Sequence, residues 1–329
     1  VTTTDPSTGT GPAAAANGTS GLATGPAPRG HGPARFRSWL DDTLWGPETA
    51  SRLVAVHVGL SALIGVRIVA GSYRQLADTP AALVDPAPFL GFLDRMPSAQ
   101  AFVALQAVGG LAALAAVLRK RTRWTYAIAW LCYLVLAGLR GSRGKVLHND
   151  LLLLWASAPF LLAPVAVDVR DRVTRRGYGW PIRVAMLITV AVYLFAGYHK
   201  LRRSGPEWVY GDNMSFVMLW GPSIGDTPWE SAARWIGDHP WAGRATALSI
   251  LGFELAAPLV LVFKRLQPWF AVAAIGLHAG TWVLLGLDYW AWAITVPLLF
   301  VDWPSLAARL RSWRAGRTAP AALSPEPAA

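Results

Sequence analysis

Over 329 residues the chain is 53% hydrophobic and only 15% charged, against about 25% charged in an ordinary soluble domain, which excludes a soluble globular protein. Its net charge of +11 does not make it a nucleic-acid binder, because most arginines lie between apolar blocks and in the C-terminal tail. There they orient a membrane protein and meet anionic lipid. The one cysteine, Cys132, sits inside an apolar run as a packing residue and excludes a disulfide framework or a CxxC redox pair.

The apolar residues gather in blocks of roughly 17–25 residues, the length of a bilayer-crossing helix. The expected fold is all-α: a polytopic membrane helix bundle of about eight transmembrane helices plus short interfacial helices. Residues 1–34, rich in Thr, Ser, Gly, Pro and Ala, read as a disordered tail. They lack the basic start and apolar centre of a signal peptide, so the first span would do the targeting. Residues 35–305 form the transmembrane domain, and 306–329 a basic, Pro/Ala-rich cytoplasmic tail.

Phe36 to Trp45 reads as an interfacial helix and 50–71 as the first span, with Arg52 at its start, His57 inside and Arg67 near its end. A proline-broken loop with a half-buried helix at 87–94 leads to the second span at 98–118, closed by the basic run 119–123. The third, fourth and fifth spans fall at 124–140, 148–167 and 182–200. The longest loop, 201–240, carries two short stretches, Asp212 to Trp220 and Trp229 to Ile236. The second has Trp229, Ala232, Ala233 and Ile236 on one helical face and reads as a surface helix. The last three spans fall at 241–263, 268–286 and 289–303. Many of the tryptophans lie near the ends of runs, as in an interfacial aromatic belt.

Eight spans put both termini on one side, and the basic clusters at 29–37, 119–123, 170–176, 264–265 and 309–317 fall there too. This predicts a multi-pass protein of the cell membrane with both termini cytoplasmic. Arg140, Arg143, Lys145, Arg202 and Arg203 fall on the outer side, against that preference. Two readings stand: snorkelling to headgroups, or an electropositive pocket facing an anionic ligand.

On this topology Arg67, Arg140, His148, Lys200 and His278, from five different spans, converge on one leaflet. Polar groups inside a bundle line a cavity or pair with one another, so one outward-opening pocket is expected. Lys200 reads either as a snorkelling anchor or as a base whose proton is loosened by partial desolvation and nearby cations. Tyr193, Gly197 and Lys200 share one helical face, and Gly197 admits a close neighbour. His148 either precedes a cap made by Asn149 or Asp150, or exchanges protons at the outer mouth. His278 lies between Gly276 and Gly280, which suggest close helix packing, and His278 with Trp282 one turn on could wall an aromatic ring. Glu254 must be paired or protonated, with His57 or Arg52 as the candidate partner. No metal signature is present, neither HxxxH, HExxH nor a cysteine cluster.

Ala196-Gly-Tyr-His-Lys-Leu201, followed by Glu207-Trp-Val-Tyr-Gly-Asp-Asn-Met214, resembles the signature of the vitamin K-dependent gamma-carboxylase membrane domain, whose bacterial relatives carry the horizontally transferred transmembrane (HTTM) domain name. Leu147-His-Asn-Asp-Leu-Leu, Phe253-Glu-Leu255 with Pro258, Gly276-Leu-His-Ala-Gly, and Pro297 to Trp303 resemble further stretches of that family in the same order, over roughly 40–305. The resemblance implies that Lys200 is the catalytic base acting on a reduced vitamin K or menaquinone cofactor, with His148 in support. Tyr193, Trp208, Glu254, His278, Trp282 and Arg140 would shape the quinone pocket. The sequence departs from the family at His199, where the family has lysine, and at Arg202 to Pro206, where it has a short acidic link. The family's large extracytoplasmic substrate domain has no counterpart in these residues, so a quinone-type pocket carries over more safely than glutamate carboxylation.

The expected function is a gamma-carboxylase-like membrane enzyme acting on a quinone or other lipophilic substrate, with the lipid bilayer as its medium. Two alternatives stay open. One is a non-catalytic membrane partner in export, maturation or immunity of a secreted peptide, docking through 201–240. The other is a DoxX-like subunit of a quinone-linked oxidoreductase.

Overall fold

The computed structural model describes residues 33–143, 148–164, 173–224 and 227–318. Among these residues all regular structure is helical, apart from one isolated antiparallel bridge between Glu48 and Arg175. The chain divides into a short N-terminal unit ending at Ser38 and a main unit, Trp39–Ala329. Of the N-terminal unit, only residues 33–38 are described, and they are helical.

Helix α1 (Pro33–Trp45) is followed by α2 (Ala50–Ala70), whose first turn is capped by the Thr49 hydroxyl accepting from the Arg52 N–H at 3.3 Å. Three short 3-10 turns carry the chain to α3 (Ala99–Val117), capped in the same way by Ser98. The expected helix at 87–94 is only the single turn Pro88–Leu90, because the surrounding prolines withhold the N–H groups a longer helix needs. A tight turn, with Arg119 and Arg121 at positive φ, folds α4 (Thr122–Gly141) back along α3.

The fourth expected span is broken. It consists of a 3-10 turn at His148–Asp150, α5 (Leu151–Ser157) and a second 3-10 stretch, Ala158–Leu162, entered through Pro159. The remainder of that span, with most of the basic loop after it, lies outside the described residues. Helix α6 (Arg176–Ser204) is the longest, about 44 Å at ~1.5 Å per residue. The loop after it holds α7 (Glu207–Tyr210), α8 (Asn213–Ile224) and α9 (Glu230–Asp238), so both short stretches expected there are helical. In α9 the buried residues are Ala233 and Gly237, while Trp229, expected on the same face, is 61% exposed.

The sixth expected span stops early. Helix α10 (Pro240–Ala256) gives way at Pro258 to the single turn α11 (Leu259–Val262), since a proline cannot donate back to the preceding turn. Helix α12 (Gln267–Leu285) ends on Gly286 in the left-handed conformation, and α13 (Trp290–Phe300) and α14 (Trp303–Thr318) complete the described chain. The expected polar tail from 306 is therefore helical to Thr318. Ser305 explains the start: its N–H and hydroxyl both donate to the Asp302 carboxylate.

Among the described residues, four helical segments are long and apolar enough to cross a membrane: Ala50–Ala70, Ala99–Val117, Arg176–Ser204 and Lys264–Leu285. Trp290–Phe300 and Trp303–Arg314 qualify only as a pair, and they meet at a 73° bend. Helix α4 has the length, but its Trp, Tyr, Thr and Arg content leaves it outside that set.

Lipid is as apolar as a leucine side chain, so close packing and buried polar bonds, more than water exclusion, hold such helices together. Gly109 shows how: a Cβ there would sit 2.8 Å from Cys132 Cβ and 2.9 Å from Ile68 Cδ1, so three helices, α2, α3 and α4, meet at one missing methyl. The core runs from Leu53, Leu60 and Ile64 of α2 to Leu136 of α4, Leu153 of α5, Met186 of α6 and Leu299 of α13. A smaller cluster of Met214, Met218, Ala233 and Ala247 joins α8, α9 and α10.

Candidate functional site

The ionisable residues of the core fall into groups at two levels of the helices. At the start of α2, Glu48 accepts from Arg52 at 2.5 Å and from Arg183 of α6 at 2.7 Å. Arg52 also donates to the Leu299 carbonyl of α13 at 3.1 Å. This clamp ties the same level of α2, α6 and α13 together. Arg52 is therefore not the partner of Glu254. Nor is His57, which lies 4.4 Å ring to ring from Tyr126 and 6.0 Å from Phe160.

About 22 Å further along α2, at ~1.5 Å per residue, Arg67 anchors the second group. It donates to Asp150 through Nε at 2.9 Å and Nη2 at 2.6 Å, and to Asp288 through Nη1 at 2.8 Å. Tyr133 of α4 donates to the same Asp150 oxygen at 2.6 Å, and Arg140 lies 3.6 Å from the other. Asn149 or Asp150 was one candidate for a helix cap. Asp150 occupies the cap position of α5 but makes no capping bond, because its carboxylate is taken by Arg67 and Tyr133. The Arg140 guanidinium stands 4.6 Å from the ring of Tyr73. Burial, reinforced by the Asp150 charge, pushes the Tyr73 phenol up to about 12, with Arg140 and Arg67 pulling the other way.

The third group belongs to α6, α10 and α12. Lys200 donates to the Glu254 carboxylate; their side chains are 22% and 7% exposed. Gly197, one turn before Lys200, makes this approach possible: a Cβ there would meet Glu254 Cβ at 3.1 Å and Leu255 Cδ2 at 3.0 Å. Lys200 also lies 5.3 Å from the centre of the Trp208 ring. Two turns before Lys200 on the same face, the Tyr193 hydroxyl bonds His278 Nε2 at 2.7 Å. His278 packs against Tyr289 at 5.7 Å and Trp292 at 5.2 Å. Trp292 Nε1 in turn donates to the Asn149 carbonyl at 2.9 Å, and Arg67 covers the neighbouring Trp290 ring at 5.2 Å. An aromatic wall thus links the Lys200–Glu254 pair to the Arg67–Asp150 group.

Of the expected site residues, the structure brings Lys200, Glu254, Trp208, Tyr193 and His278 into one neighbourhood, and Arg140 into the adjoining one. The side chain of His148 lies outside the described residues, although its backbone forms the turn that delivers Asn149 and Asp150. Trp282 is 53% exposed and does not wall His278; Tyr193, Tyr289 and Trp292 do that. Gly276 and Gly280 are not packing contacts either, because a Cβ at each would meet nothing within 4 Å. They line an apolar groove of about 500 Å³ between α8, α10 and α12, whose walls include Phe253 and Leu277, the sequence neighbours of Glu254 and His278.

Sequence reasoning missed Asp288, Tyr133, Tyr289 and Trp292 as members of these groups. For Asp288, Tyr289 and Trp292 the available signal was their place at a span end beside aromatic residues; Tyr133, in the middle of α4, carried none.

Among the described residues no set of three or more His, Cys, Asp or Glu side chains could hold a metal ion. Compared with known proteins, the chain matches no family model, no curated protein and no solved structure.

Proposed function

We propose that the chain is a polytopic membrane protein that crosses the bilayer about eight times, with both termini cytoplasmic. In this reading it acts on a lipophilic, quinone-like substrate at a site built around Lys200 and Glu254. The shorter segments α4, α5 with its 3-10 extension, α10–α11 and α13 supply the crossings beyond the four long apolar helices. The function follows the gamma-carboxylase and HTTM resemblance of the residues around Lys200.

One observation carries the reading. Around the Lys200–Glu254 pair, Glu254 Oε2, His278 Nδ1 and Trp208 Nε1 are buried and have no hydrogen-bond partner among the described residues. Buried polar atoms are nearly always satisfied, so a group of them beside an ion pair points to a polar ligand. An acceptor on Glu254, a ring nitrogen on His278 and a donor on Trp208 fit the two oxygens of a quinol. The apolar groove beside Phe253 and Leu277 suits a hydrocarbon tail arriving from the bilayer.

In this role Glu254 holds Lys200 in place and keeps one proton within reach of both groups. Tyr193 fixes the orientation of the His278 ring through Nε2 and leaves Nδ1 for the ligand. Trp208 covers the lysine and limits water. A bound reduced quinone would supply an acidic hydroxyl and the electrons for a reaction with oxygen.

The test compares Lys200→Ala and Lys200→Arg with the unaltered protein in membranes, reading the oxidation and epoxidation of menahydroquinone. Loss in both variants supports a lysine base. Wild-type turnover in both removes it. If no form of the protein turns over a quinol while deletion of 222–238 abolishes a protein partner, the docking alternative replaces this one.

A further inference from the structure

A second site lies between α4, α5 and the loop before α3, and none of its lining residues belongs to the Lys200–Glu254 group. A largely apolar pocket of about 680 Å³ is walled by Trp130, Leu134 and Ala137 of α4 and by Leu154 and Trp155 of α5, with Asp150 at its edge, and roofed by the loop through Phe89. The loop is pinned over the end of α4, with the Asp85 N–H donating to the Ser142 carbonyl at 2.8 Å and the Ala87 N–H to the Ser142 hydroxyl at 3.2 Å. Gly138 admits the loop, since a Cβ there would lie 2.5 Å from Phe89 Cζ. From Trp130 to Gly141 the helix rises about 16 Å at ~1.5 Å per residue. That matches roughly 15 Å, half the hydrocarbon thickness of a bilayer.

Asp85 also borders a second cleft of about 510 Å³, where the charged side chains Asp78 and Arg143 and the polar Gln75 and Thr79 stand beside Ala82, Leu83 and Val84. The cleft sits beyond the end of α4, where an interface would lie. Asp78, Asp85 and Arg143 are exposed, and no ion pair joins them. The Thr79 hydroxyl is buried with no hydrogen-bond partner among the described residues. A greasy slot one leaflet deep thus shares a wall with a charged cleft at its mouth.

We infer that the apolar pocket and the polar cleft together bind one molecule of a zwitterionic phospholipid with a primary amine, phosphatidylethanolamine. One chain lies along α4, the ammonium sits between Asp78 and Asp85, and the phosphate sits on Arg143. Two carboxylates and one guanidinium complement an ammonium and a phosphate. The primary amine is selected by chemistry. Carboxylates bond its N–H groups, whereas a quaternary ammonium has none and is held by aromatic faces. No aromatic side chain lines the cleft. An anionic glycerol headgroup would bring a net negative charge to a cleft where two carboxylates already outnumber the one guanidinium of Arg143. The inference rests on α4 crossing the bilayer and not on any role of Lys200.

Native mass spectrometry of the full-length protein, titrated with phosphatidylethanolamine, phosphatidylcholine and phosphatidylglycerol of matched chains, tests it. The phosphatidylethanolamine adduct should form about tenfold more readily than the other two, the factor one charge-assisted bond supplies. Asp78→Asn with Asp85→Asn should make phosphatidylethanolamine and phosphatidylcholine equal. Gly141→Leu should cut all three by about tenfold, because Gly141 lines the pocket and a Cβ there meets nothing within 4 Å, so the new side chain fills the slot without moving the helix. Equal adducts in the unaltered protein, or a full phosphatidylethanolamine adduct in Gly141→Leu, would overturn the inference. Should Gly141→Leu not fold, the exposed Arg143→Gln decides: an unchanged phosphatidylethanolamine adduct overturns the inference, and a weakened one supports it. An alkaline wash of the membranes separates the two failures. Release of the protein overturns the spanning reading, whereas retention without a phosphatidylethanolamine preference overturns this inference alone.

Discussion

Arg67 grips Asp150 with two nitrogens, at 2.9 and 2.6 Å, and so ties the last turn of α2 to the first residues of α5, 83 positions later in the chain. Both side chains are 4% exposed. Removing the arginine leaves a buried carboxylate facing only Tyr133 and the more distant Arg140. Arg67→Met should therefore cost about 3–5 kcal/mol, while Arg67→Met with Asp150→Leu should recover much of the loss. Thermal unfolding in detergent checks this; a double variant no better than the single one would show that the charge is not the cause.

Tyr193→Phe removes the one hydrogen bond to His278 Nε2 and leaves both ring nitrogens without a partner. The expected cost is about 1–3 kcal/mol of stability. The same variant should lower quinol turnover without touching phosphatidylethanolamine binding, which is read on the same samples by native mass spectrometry.

Gly179→Ala is expected to be among the most damaging small substitutions. The new Cβ would lie 1.9 Å from the Gly46 carbonyl oxygen, a backbone atom that no rotamer change can move aside. Helix α6 would have to shift away from the clamp at Glu48, at a cost of about 1–3 kcal/mol or more. The yield of monodisperse protein after extraction should fall. Gly177→Ala, where a Cβ meets nothing within 4 Å, should behave like the unaltered chain.

Tyr73 lies in the loop after α2 and is fully buried, and its folded-state pKa is raised to about 12. Its unfolded value is about 10. Because the neutral form is the one favoured by folding, this contribution is fully present below about pH 10 and is lost as pH climbs through about 12. Tyr73→Phe should flatten that part of the alkaline unfolding curve. Below pH 10 it should leave stability unchanged or slightly higher, since the Tyr73 hydroxyl has no partner among the described residues. A variant with the same alkaline limb as the unaltered protein would exclude Tyr73 as its source.

Much of the helical layout can be read from the sequence, because apolar runs with clear ends are local signals. Helix α2 begins and ends within a residue of expectation, held by the Thr49 cap, and α3 and α12 agree as closely. The breaks are harder. The stretches expected as fourth and sixth spans are interrupted at Pro159 and Pro258, where the apolar sequence continues while the hydrogen-bond ladder does not. Partners are harder still. Lys200 finds Glu254 across 54 positions, and Arg67 finds Asp288 across 221. Which charge meets which is fixed by how α6 and α10 pack, through contacts such as Gly197 on Leu255, and no spacing along the chain encodes that. Gly276 and Gly280 show the converse error: small residues permit close packing but do not compel it, and here they leave a groove.

Glu48 carries a further implication for how the protein is made. Its first arginine partner, Arg52, is four residues on, in the first turn of α2, whereas its second, Arg183, is translated 135 residues later. The earliest apolar helix can therefore leave the ribosome with its arginine already neutralised by its own neighbour. Only when α6 follows does the carboxylate acquire its second guanidinium. Exchange of Glu48 for glutamine would then be felt first as slower insertion of α2 during synthesis, before any loss of stability in the finished protein, and timed crosslinking of nascent chains to the insertion machinery would separate the two.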